Sequence, residues 1–240
     1  MYKVVLLRHG ESIWNAQNKF TGWVDIELSE KGREQAKNVG LILKEKGFVF
    51  DIAFTSVLKR AIETLEITLE AMGLLSVPIE KAWQLNERHY GALQGVEREK
   101  AVEKFGLEQV MAWRRGYKTK PPHQNSVWCG GKPPALVGEN PSSESLEDVF
   151  LRVAAYWKEK ITPAILEGKN ILIVAHGNSL RALVKMLDNI SDKDIENLNI
   201  PIGIPLVYEL NGGLTPTNHY YLADKNKVEE AIEAVKNEVK

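Results

Sequence analysis

Short, continuously apolar runs that end in polar residues recur along the chain. The run at residues 4–7 leads into Arg8 and His9, and the run at 171–175 leads into His176. Runs of this length and branched composition are typical of strands buried on both faces of a sheet. A glycine follows each histidine, so the same pattern of strand, histidine and glycine occurs twice. The pattern predicts two parallel strands whose histidines meet at one edge of the sheet.

Segments of helical periodicity separate these runs and two further strand candidates, at 50–54 and 206–210. Apolar residues recur at helical spacing after Ser29, which we expect to be a helix cap, and again after Thr55 and Ser56, which we also expect to be a cap. Other predicted helices cover 98–117, 144–160, the residues after His176, and the amphipathic tail. This alternation indicates an α/β fold with a doubly wound, mostly parallel sheet flanked by helices.

Several connecting segments are too irregular to be regular elements. Residues 13–27 and 80–95 combine aromatic and charged side chains without a sustained period, so we predict functional loops there. The prolines and glycines within 116–141 predict an inserted flap. With the tail at about 224–240 docked as a terminal helix, the chain is expected to form one domain over residues 1–240.

Composition narrows the range of functions. The chain has 31 basic and 32 acidic residues and a formal charge of −1, so its overall charge gives no reason to expect a nucleic acid or membrane partner. Cys129 is the only cysteine, which excludes an intramolecular disulfide and a multi-cysteine metal site. No apolar run approaches about 20 residues and no leader pattern precedes the first strand. We therefore expect a cytoplasmic protein.

Cationic side chains are predicted beside the two histidines, and they indicate that the histidines face a bound anion. Arg60 falls in the first turn of a predicted helix, where a cation opposes the helix dipole, which suggests that it binds an anion. Together with Arg8, His176 and a helix N-terminus it suits a phosphate group. We predict that His9 attacks phosphorus and forms a phosphohistidine, with Glu87 as general acid and base. No common metal-binding motif is present, and we expect no metal.

Seven segments resemble the histidine phosphatase superfamily, and specifically its cofactor-dependent phosphoglycerate mutases. They are RHGES at 8–12, TGW at 21–23, TSVLKRA at 55–61, NERHYG at 86–91, HGNSLR at 176–181, LNIP at 198–201 and GIPLVY at 203–208. The resemblance implies interconversion of 3-phosphoglycerate and 2-phosphoglycerate, in glycolysis and gluconeogenesis, primed by the cofactor 2,3-bisphosphoglycerate. It also implies a homodimer or homotetramer.

Carried onto this chain, the resemblance assigns roles to individual residues. His9 is the phosphorylated histidine, Glu87 the proton donor and acceptor, and His176 the stabiliser of the transition state. The remaining expected contacts to the substrate's phosphoryl and carboxylate groups are Arg8, Asn15, Thr21, Gly22, Arg60, Tyr90, Arg98, Arg114, Arg115, Gly177 and Asn178.

Three departures from the mutase pattern leave alternatives open. Arg98 stands where these mutases usually have a lysine, Gln84 replaces a usual arginine, and the flap is shorter and lacks a basic patch. A bisphosphoglycerate mutase or synthase and a broad histidine phosphatase use the same nucleophile, so both remain possible. A non-catalytic phospholigand-binding protein predicts damage to His9, Glu87 or His176, yet all three are intact.

Overall fold

The computed structural model describes residues 1–124 and 141–237. Most of the predicted flap, together with Cys129, lies outside these residues. The strands are β1 (Tyr2–Arg8), β2 (Ile52–Thr55), β3 (Ile79–Lys81), β4 (Ile171–Ala175), β5 (Leu206–Leu210) and β6 (Pro216–Tyr221). The helices are α1 (Ile13–Ala16), α2 (Glu30–Glu45), α3 (Lys59–Met72), α4 (Arg98–Phe105), α5 (Leu107–Arg115), α6 (Leu146–Tyr156), α7 (Thr162–Leu166), α8 (Gly177–Leu187) and α9 (Lys225–Asn237).

The strands of the described residues form one mixed sheet in the order β3-β2-β4-β1-β5-β6. β1 and β2 both pair in parallel with β4, and β3 pairs in parallel with β2. β5 is antiparallel to β1, and β6 is antiparallel to β5. The predicted α/β fold with a mostly parallel sheet is therefore confirmed, with two antiparallel pairings at one side.

Helices cover both faces of the central strands. Val5 and Leu7 of β1 pack in a core with apolar residues of α2 and α3. Val4 and Leu6 point to the other face, where they pack in a core with residues of α6 and α8. Successive side chains of a strand point to opposite faces. Because both faces are buried, the central strands are continuously apolar, as the sequence pattern predicted.

The predicted helix caps give one correct and one wrong result. Ser29 Oγ accepts a hydrogen bond from the Gly32 amide at 3.1 Å and caps α2, as predicted. Leu58, not Thr55 or Ser56, occupies the N-cap position of α3. Thr55 ends β2, and its Oγ1 donates to the Val174 carbonyl at 2.8 Å. The Thr55 hydroxyl therefore serves the sheet instead of the helix, whereas Ser56 Oγ accepts from the amide of Leu58, the N-cap residue, at 3.2 Å.

Other differences from the predicted elements have local causes. The helix predicted at 98–117 is interrupted by Gly106, whose φ of 80° lies in the left-handed region and ends α4. The helix predicted at 144–160 begins at Leu146, and a π-helical segment, Trp157–Ile161, links it to α7. The irregular segment 13–27 contains the short helix α1. Sequence periodicity also missed β3, which is short, and β6, which fully buries none of its residues.

The tail forms α9, and Val228 and Val235 bury its apolar side. Residues 238–240 lie outside the described part. Within the described ranges, every helix is too short or too polar to cross a lipid bilayer.

Candidate active site

The two strand-end histidines lie side by side at the carboxyl edge of the sheet. Arg8, the last residue of β1, is in register with Ala175, the last residue of β4. The His9 amide donates to the Ala175 carbonyl at 3.0 Å and extends the pairing by one residue. The His9 and His176 rings meet edge to face with centroids 4.9 Å apart. The register of two parallel strands therefore creates the pair that the sequence predicted.

The hydrogen bonds of His9 determine its tautomer. Nδ1 is 2.7 Å from the Gly10 carbonyl oxygen, which can only accept, so Nδ1 carries the proton. Nε2 accepts from Arg60 Nε at 3.3 Å and therefore presents a lone pair. Burial, followed by the charges of Arg60 and Arg8, holds the pKa of His9 well below its ordinary value. His9 is thus a neutral imidazole whose Nε2 has the electron pair that a nucleophile needs.

His176 lies at the N-cap of α8, directly behind His9. Its Nε2 is 2.7 Å from Ser56 Oγ. Its Nδ1 is buried and has no hydrogen-bond partner among the described residues. Burial, together with the nearby Arg60, holds the pKa of His176 well below its ordinary value. The Ser56 contact therefore fixes one ring nitrogen of a neutral imidazole and leaves the other unpaired.

Backbone carbonyls fix both arginines that flank His9. Arg8 Nη1 donates to the Ile200 carbonyl at 2.8 Å, while Arg8 Nε has no partner in the described part of the chain. Arg60 Nη1 and Nη2 donate to the carbonyls of Val24 and Gly22 at 2.9 and 2.7 Å. Burial lowers the pKa of Arg60 to about 10, so its guanidinium remains charged at neutral pH. Two rigid cations therefore stand next to the nucleophile.

Glu87 reaches the same space from the irregular loop that the sequence predicted to be functional. Its Oε1 accepts from the Arg88 amide at 2.8 Å and from the amide and side chain of Asn178 at 3.1 and 2.8 Å. Its Oε2 and Arg8 Nε each lie 3.6 Å from the position that a Cβ at Gly177 would take. The carboxylate and the guanidinium therefore lie together at the start of α8, within van der Waals distance of this position.

These groups line one open cavity, whose empty space is about 600 Å³ including its opening to solvent. Of the fourteen predicted site residues, thirteen line it, and His176 lies beside His9 instead. The thirteen lining residues are Arg8, His9, Asn15, Thr21, Gly22, Arg60, Glu87, Tyr90, Arg98, Arg114, Arg115, Gly177 and Asn178.

The part of the cavity away from His9 is also polar and preorganised. Thr21 Oγ1 is buried and has no partner within the described ranges. Tyr90 Oη accepts from Asn178 Nδ2 at 3.1 Å, and although burial raises the pKa of Tyr90, the Arg88 guanidinium brings it below its ordinary value. Arg98 Nη1 donates to Asn18 Oδ1 at 2.8 Å.

Sequence reasoning missed four lining residues: Phe20, Arg181, Ile200 and Val235. Arg181 follows Asn178 by three positions on α8, and its Nη1 donates to Asn178 Oδ1 at 2.9 Å. The helical spacing could have revealed it, since residues three apart share a helix face. The contributions of Ile200 and Val235 include backbone carbonyls, which a side-chain pattern does not reveal.

Glu11, the other carboxylate close to His9 in sequence, makes structural contacts. Its carboxylate accepts from Ser29 Oγ at 2.9 Å and from Lys31 Nζ at 3.0 Å, both at the start of α2. Glu11 therefore joins the segment after His9 to α2 and does not face the cavity.

The cavity is strongly cationic. Among its described lining residues are six arginines and a single carboxylate, that of Glu87. Burying this much positive charge is unfavourable without anions nearby. In the described part of the chain, no three His, Cys, Asp or Glu side chains are grouped as a metal-binding cluster. The site can therefore hold a small molecule with several negative charges against a nucleophilic imidazole.

Residues 4–211 match the family model of the histidine phosphatase superfamily (branch 1). The chain belongs to this superfamily. That membership agrees with the strand-end histidine and the flanking arginines, and it establishes the broader family that the sequence motifs indicated. It does not separate the mutases from the phosphatases.

Solved structures that share the fold of this chain include both kinds of enzyme. A mycobacterial glucosyl-3-phosphoglycerate phosphatase in complex with VO3 is 21% identical with a TM-score of 0.72, and the match covers 92% of this chain and 97% of that one. The α-ribazole phosphatase of Shigella flexneri is 22% identical with a TM-score of 0.67, covering 90% and 93%. A phosphoglycerate mutase from Bacillus anthracis is 23% identical with a TM-score of 0.63, covering 90% of each chain.

Proposed function

We propose that this histidine phosphatase is a 2,3-bisphosphoglycerate-dependent phosphoglycerate mutase that interconverts 3-phosphoglycerate and 2-phosphoglycerate through a phosphohistidine at His9. The observation that carries the proposal is the six arginines around one carboxylate in a cavity of about 600 Å³. A single phosphoryl group can pair with Arg8 and Arg60, which leaves four further cations. A ligand with a second phosphate or a carboxylate could pair with these four additional arginines.

The chemistry follows from the groups at the sheet edge. The lone pair of His9 Nε2 forms a bond to phosphorus while the bond from phosphorus to the substrate oxygen breaks. The Glu87 carboxyl gives a proton to that oxygen, so the substrate leaves as an alcohol. Arg8 and Arg60 stabilise the charge on the transferring phosphoryl oxygens, and His176, whose ring lies against His9, is the third group proposed to do so.

The same transfer also runs in reverse: the primed phosphohistidine passes its phosphoryl group to the free hydroxyl of 3-phosphoglycerate, and the other phosphoryl group of the bisphosphorylated product then returns to His9. Glu87 accepts the proton of the hydroxyl whose oxygen attacks phosphorus, and the bond from phosphorus to Nε2 breaks. Arg98, Arg114 and Arg115 would hold the other anionic end of the substrate during this transfer. When bound, 2,3-bisphosphoglycerate supplies the phosphoryl group that primes His9. The donors without partners at Arg8 Nε and Thr21 Oγ1 fit a ligand of this charge.

A phosphatase is the second candidate, and the fold similarity to two phosphatases favours it. In a phosphatase, water takes the phosphoryl group from His9 and Glu87 accepts the proton of that water. The two candidates therefore share every catalytic group and differ in which acceptor reaches the phosphohistidine.

Phosphorus NMR of one reaction mixture distinguishes them. We expect 3-phosphoglycerate to be converted to 2-phosphoglycerate in the presence of 2,3-bisphosphoglycerate, with inorganic phosphate forming more slowly. Faster release of phosphate than of 2-phosphoglycerate would support the phosphatase, whereas net accumulation of bisphosphoglycerate would indicate a synthase.

His9→Ala tests the nucleophile itself. We expect this variant to lose both turnover and acid-labile protein phosphorylation, because His9 Nε2 is the atom that accepts the phosphoryl group in the proposed mechanism. His219→Ala, at a half-exposed histidine on β6, is the matched control and should keep both. Retention of full activity by His9→Ala would refute the phosphohistidine mechanism.

A further inference from the structure

Arg152 lies on α6 outside the cavity, yet its side chain is directed at the loop that carries Glu87. It is buried, with 9% of the residue exposed. Nη1 donates to the carbonyls of Gln84 and Asn86 at 2.6 and 3.0 Å, and Nη2 donates to the carbonyl of Glu87 at 3.0 Å. The two remaining N–H groups go to Glu144, at 2.8 Å from Nε and 3.0 Å from Nη2. All five donors of the guanidinium are therefore used.

Glu144 continues the same set of contacts beyond Glu87. Its Oε2 accepts from the His89 amide at 2.8 Å, and its own amide donates to the His89 carbonyl at 2.9 Å. Glu144 is 5% exposed, so the ion pair with Arg152 is shielded from water. Together the two side chains bind the backbone on both sides of Glu87.

We propose that Arg152 and Glu144 form a positioning pair that holds Glu87 at the distance and orientation needed for proton transfer. This inference rests on the acid and base role of Glu87 in the proposed function, which the mutase and the phosphatase share. Neither residue touches the substrate. Both act through the loop on which Glu87 is placed.

The chemistry of the pair suits this role better than a contribution to stability. A buried ion pair gives little net stability compared with apolar residues of the same size. A planar guanidinium, however, can bind several carbonyls that converge from an irregular loop, which a lysine with its single nitrogen cannot reproduce. Trp23 Nε1 also donates to the Glu87 carbonyl, at 2.6 Å, so this carbonyl has two fixed donors. These directional bonds thus hold both the 3₁₀ turn Trp83–Leu85 and the irregular backbone that follows it.

Arg152→Lys tests the proposal because it keeps the positive charge and removes the planar guanidinium that binds several carbonyls at once. A misplacement of about 1 Å in a catalytic group costs about 100-fold in rate. We expect kcat for 3-phosphoglycerate to fall about 100-fold with KM little changed. Arg33→Lys, at an arginine of α2 that is paired with Glu63 away from the cavity, is the matched control and should behave as the parent chain.

A double-mutant cycle with Glu87→Gln separates positioning from a general structural effect. In the Glu87→Gln background, Arg152→Lys should cause no further loss of kcat, because the group that it positions no longer transfers a proton. An aryl phosphate gives a second measure. Its phenolate leaves without protonation, so Arg152→Lys should slow its reaction far less than that of 3-phosphoglycerate.

Two outcomes would overturn the positioning role. One is an equal loss of kcat from Arg152→Lys in the parent and Glu87→Gln backgrounds, and the other is an equal loss on aryl and alkyl phosphates. Thermal unfolding of Arg152→Lys and of Glu144→Gln verifies that the folded state is measured. If the proposed mutase function fails instead, the parent chain itself does not convert 3-phosphoglycerate to 2-phosphoglycerate, which is a different result.

Discussion

Replacement of Gly32 by alanine tests how closely α2 must approach the segment that follows His9. A Cβ at Gly32 would lie 2.1 Å from the Glu11 carbonyl oxygen and 3.0 Å from the Glu11 amide nitrogen. In the opposite direction, a Cβ at Gly10 would lie 2.4 Å from the Gly32 carbonyl oxygen. Both neighbours are backbone atoms, so no side chain can rotate out of the way.

Two opposing effects determine how much Gly32→Ala changes the free energy of unfolding. Alanine is favoured over glycine inside a helix by about 1 kcal/mol. Overpacking a close contact costs about 1–3 kcal/mol, and the rigid backbone around Glu11 places this contact near the upper end. We therefore expect Gly32→Ala to lower the free energy of unfolding by about 1–2 kcal/mol. The relief of the contact moves the Gly10 carbonyl that holds His9 Nδ1, so we also expect kcat to fall, by about 100-fold for a shift of about 1 Å.

Urea unfolding and steady-state kinetics measure the two effects, and two other glycines provide controls. Gly40 also lies in α2, and its Cβ would meet the Thr68 carbonyl oxygen at 2.4 Å, on the side that packs against α3. Gly40→Ala should therefore destabilise the protein without a loss of kcat in the folded population. Gly212 has no atom within 4 Å of its Cβ position, so Gly212→Ala should change neither quantity. If Gly32→Ala behaves as Gly212→Ala does, the close approach has no functional importance.

Two further predictions concern pH and the substituted arginine. Burial lowers the pKa of His89 to about 4 from 6.5, and the pKa values of His9 and His176 are also held low by burial, so the unfolded chain binds more protons than the native one in this range. The free energy of unfolding should therefore fall as pH drops below 6.5, by up to about 1.4 kcal/mol per pH unit for each histidine. Urea unfolding at pH 7 and pH 5 measures this change, and equal free energies of unfolding at the two pH values would contradict the prediction. Arg98→Lys should change KM for 3-phosphoglycerate more than the rate of His9 phosphorylation in rapid-quench experiments, and equal losses in both would show that Arg98 has another role.

The sequence predicted which histidines meet at the carboxyl edge of the sheet, because that edge depends on where strands end. His9 and His176 each follow a buried apolar run, and the carboxyl ends of neighbouring parallel strands lie together. Arg60 was also predictable, since a cation in the first turn of a helix conflicts with the dipole unless an anion is near. Residues further from the strands, such as Tyr90 and Arg114, came from family motifs and not from physical reasoning.

Features that depend on backbone groups or on weak local patterns were not predictable. Ser56 has the side chain of a helix cap, but its hydroxyl is taken by His176 because β2 and β4 are neighbours in the sheet. β6 begins with Pro216 and fully buries none of its residues, so it has little of the pattern of a strand. The carbonyl of Val235 accepts hydrogen bonds from Arg114 and Arg115. Any residue has a backbone carbonyl, so the sequence does not predict this contact.

The position of β4 between β1 and β2 also constrains the order in which the protein can fold during synthesis. β4 begins at Ile171, and until it has left the ribosome β1 and β2 cannot be joined through the centre of the sheet. The unfinished chain exposes open strand edges, which favour intermolecular pairing. Because the two histidines come from strands so far apart in sequence, the slow formation of long-range contacts governs when the active site appears. Translation pauses before Ile171 should therefore increase aggregation, and a nascent chain that ends there cannot yet bring His9 and His176 together.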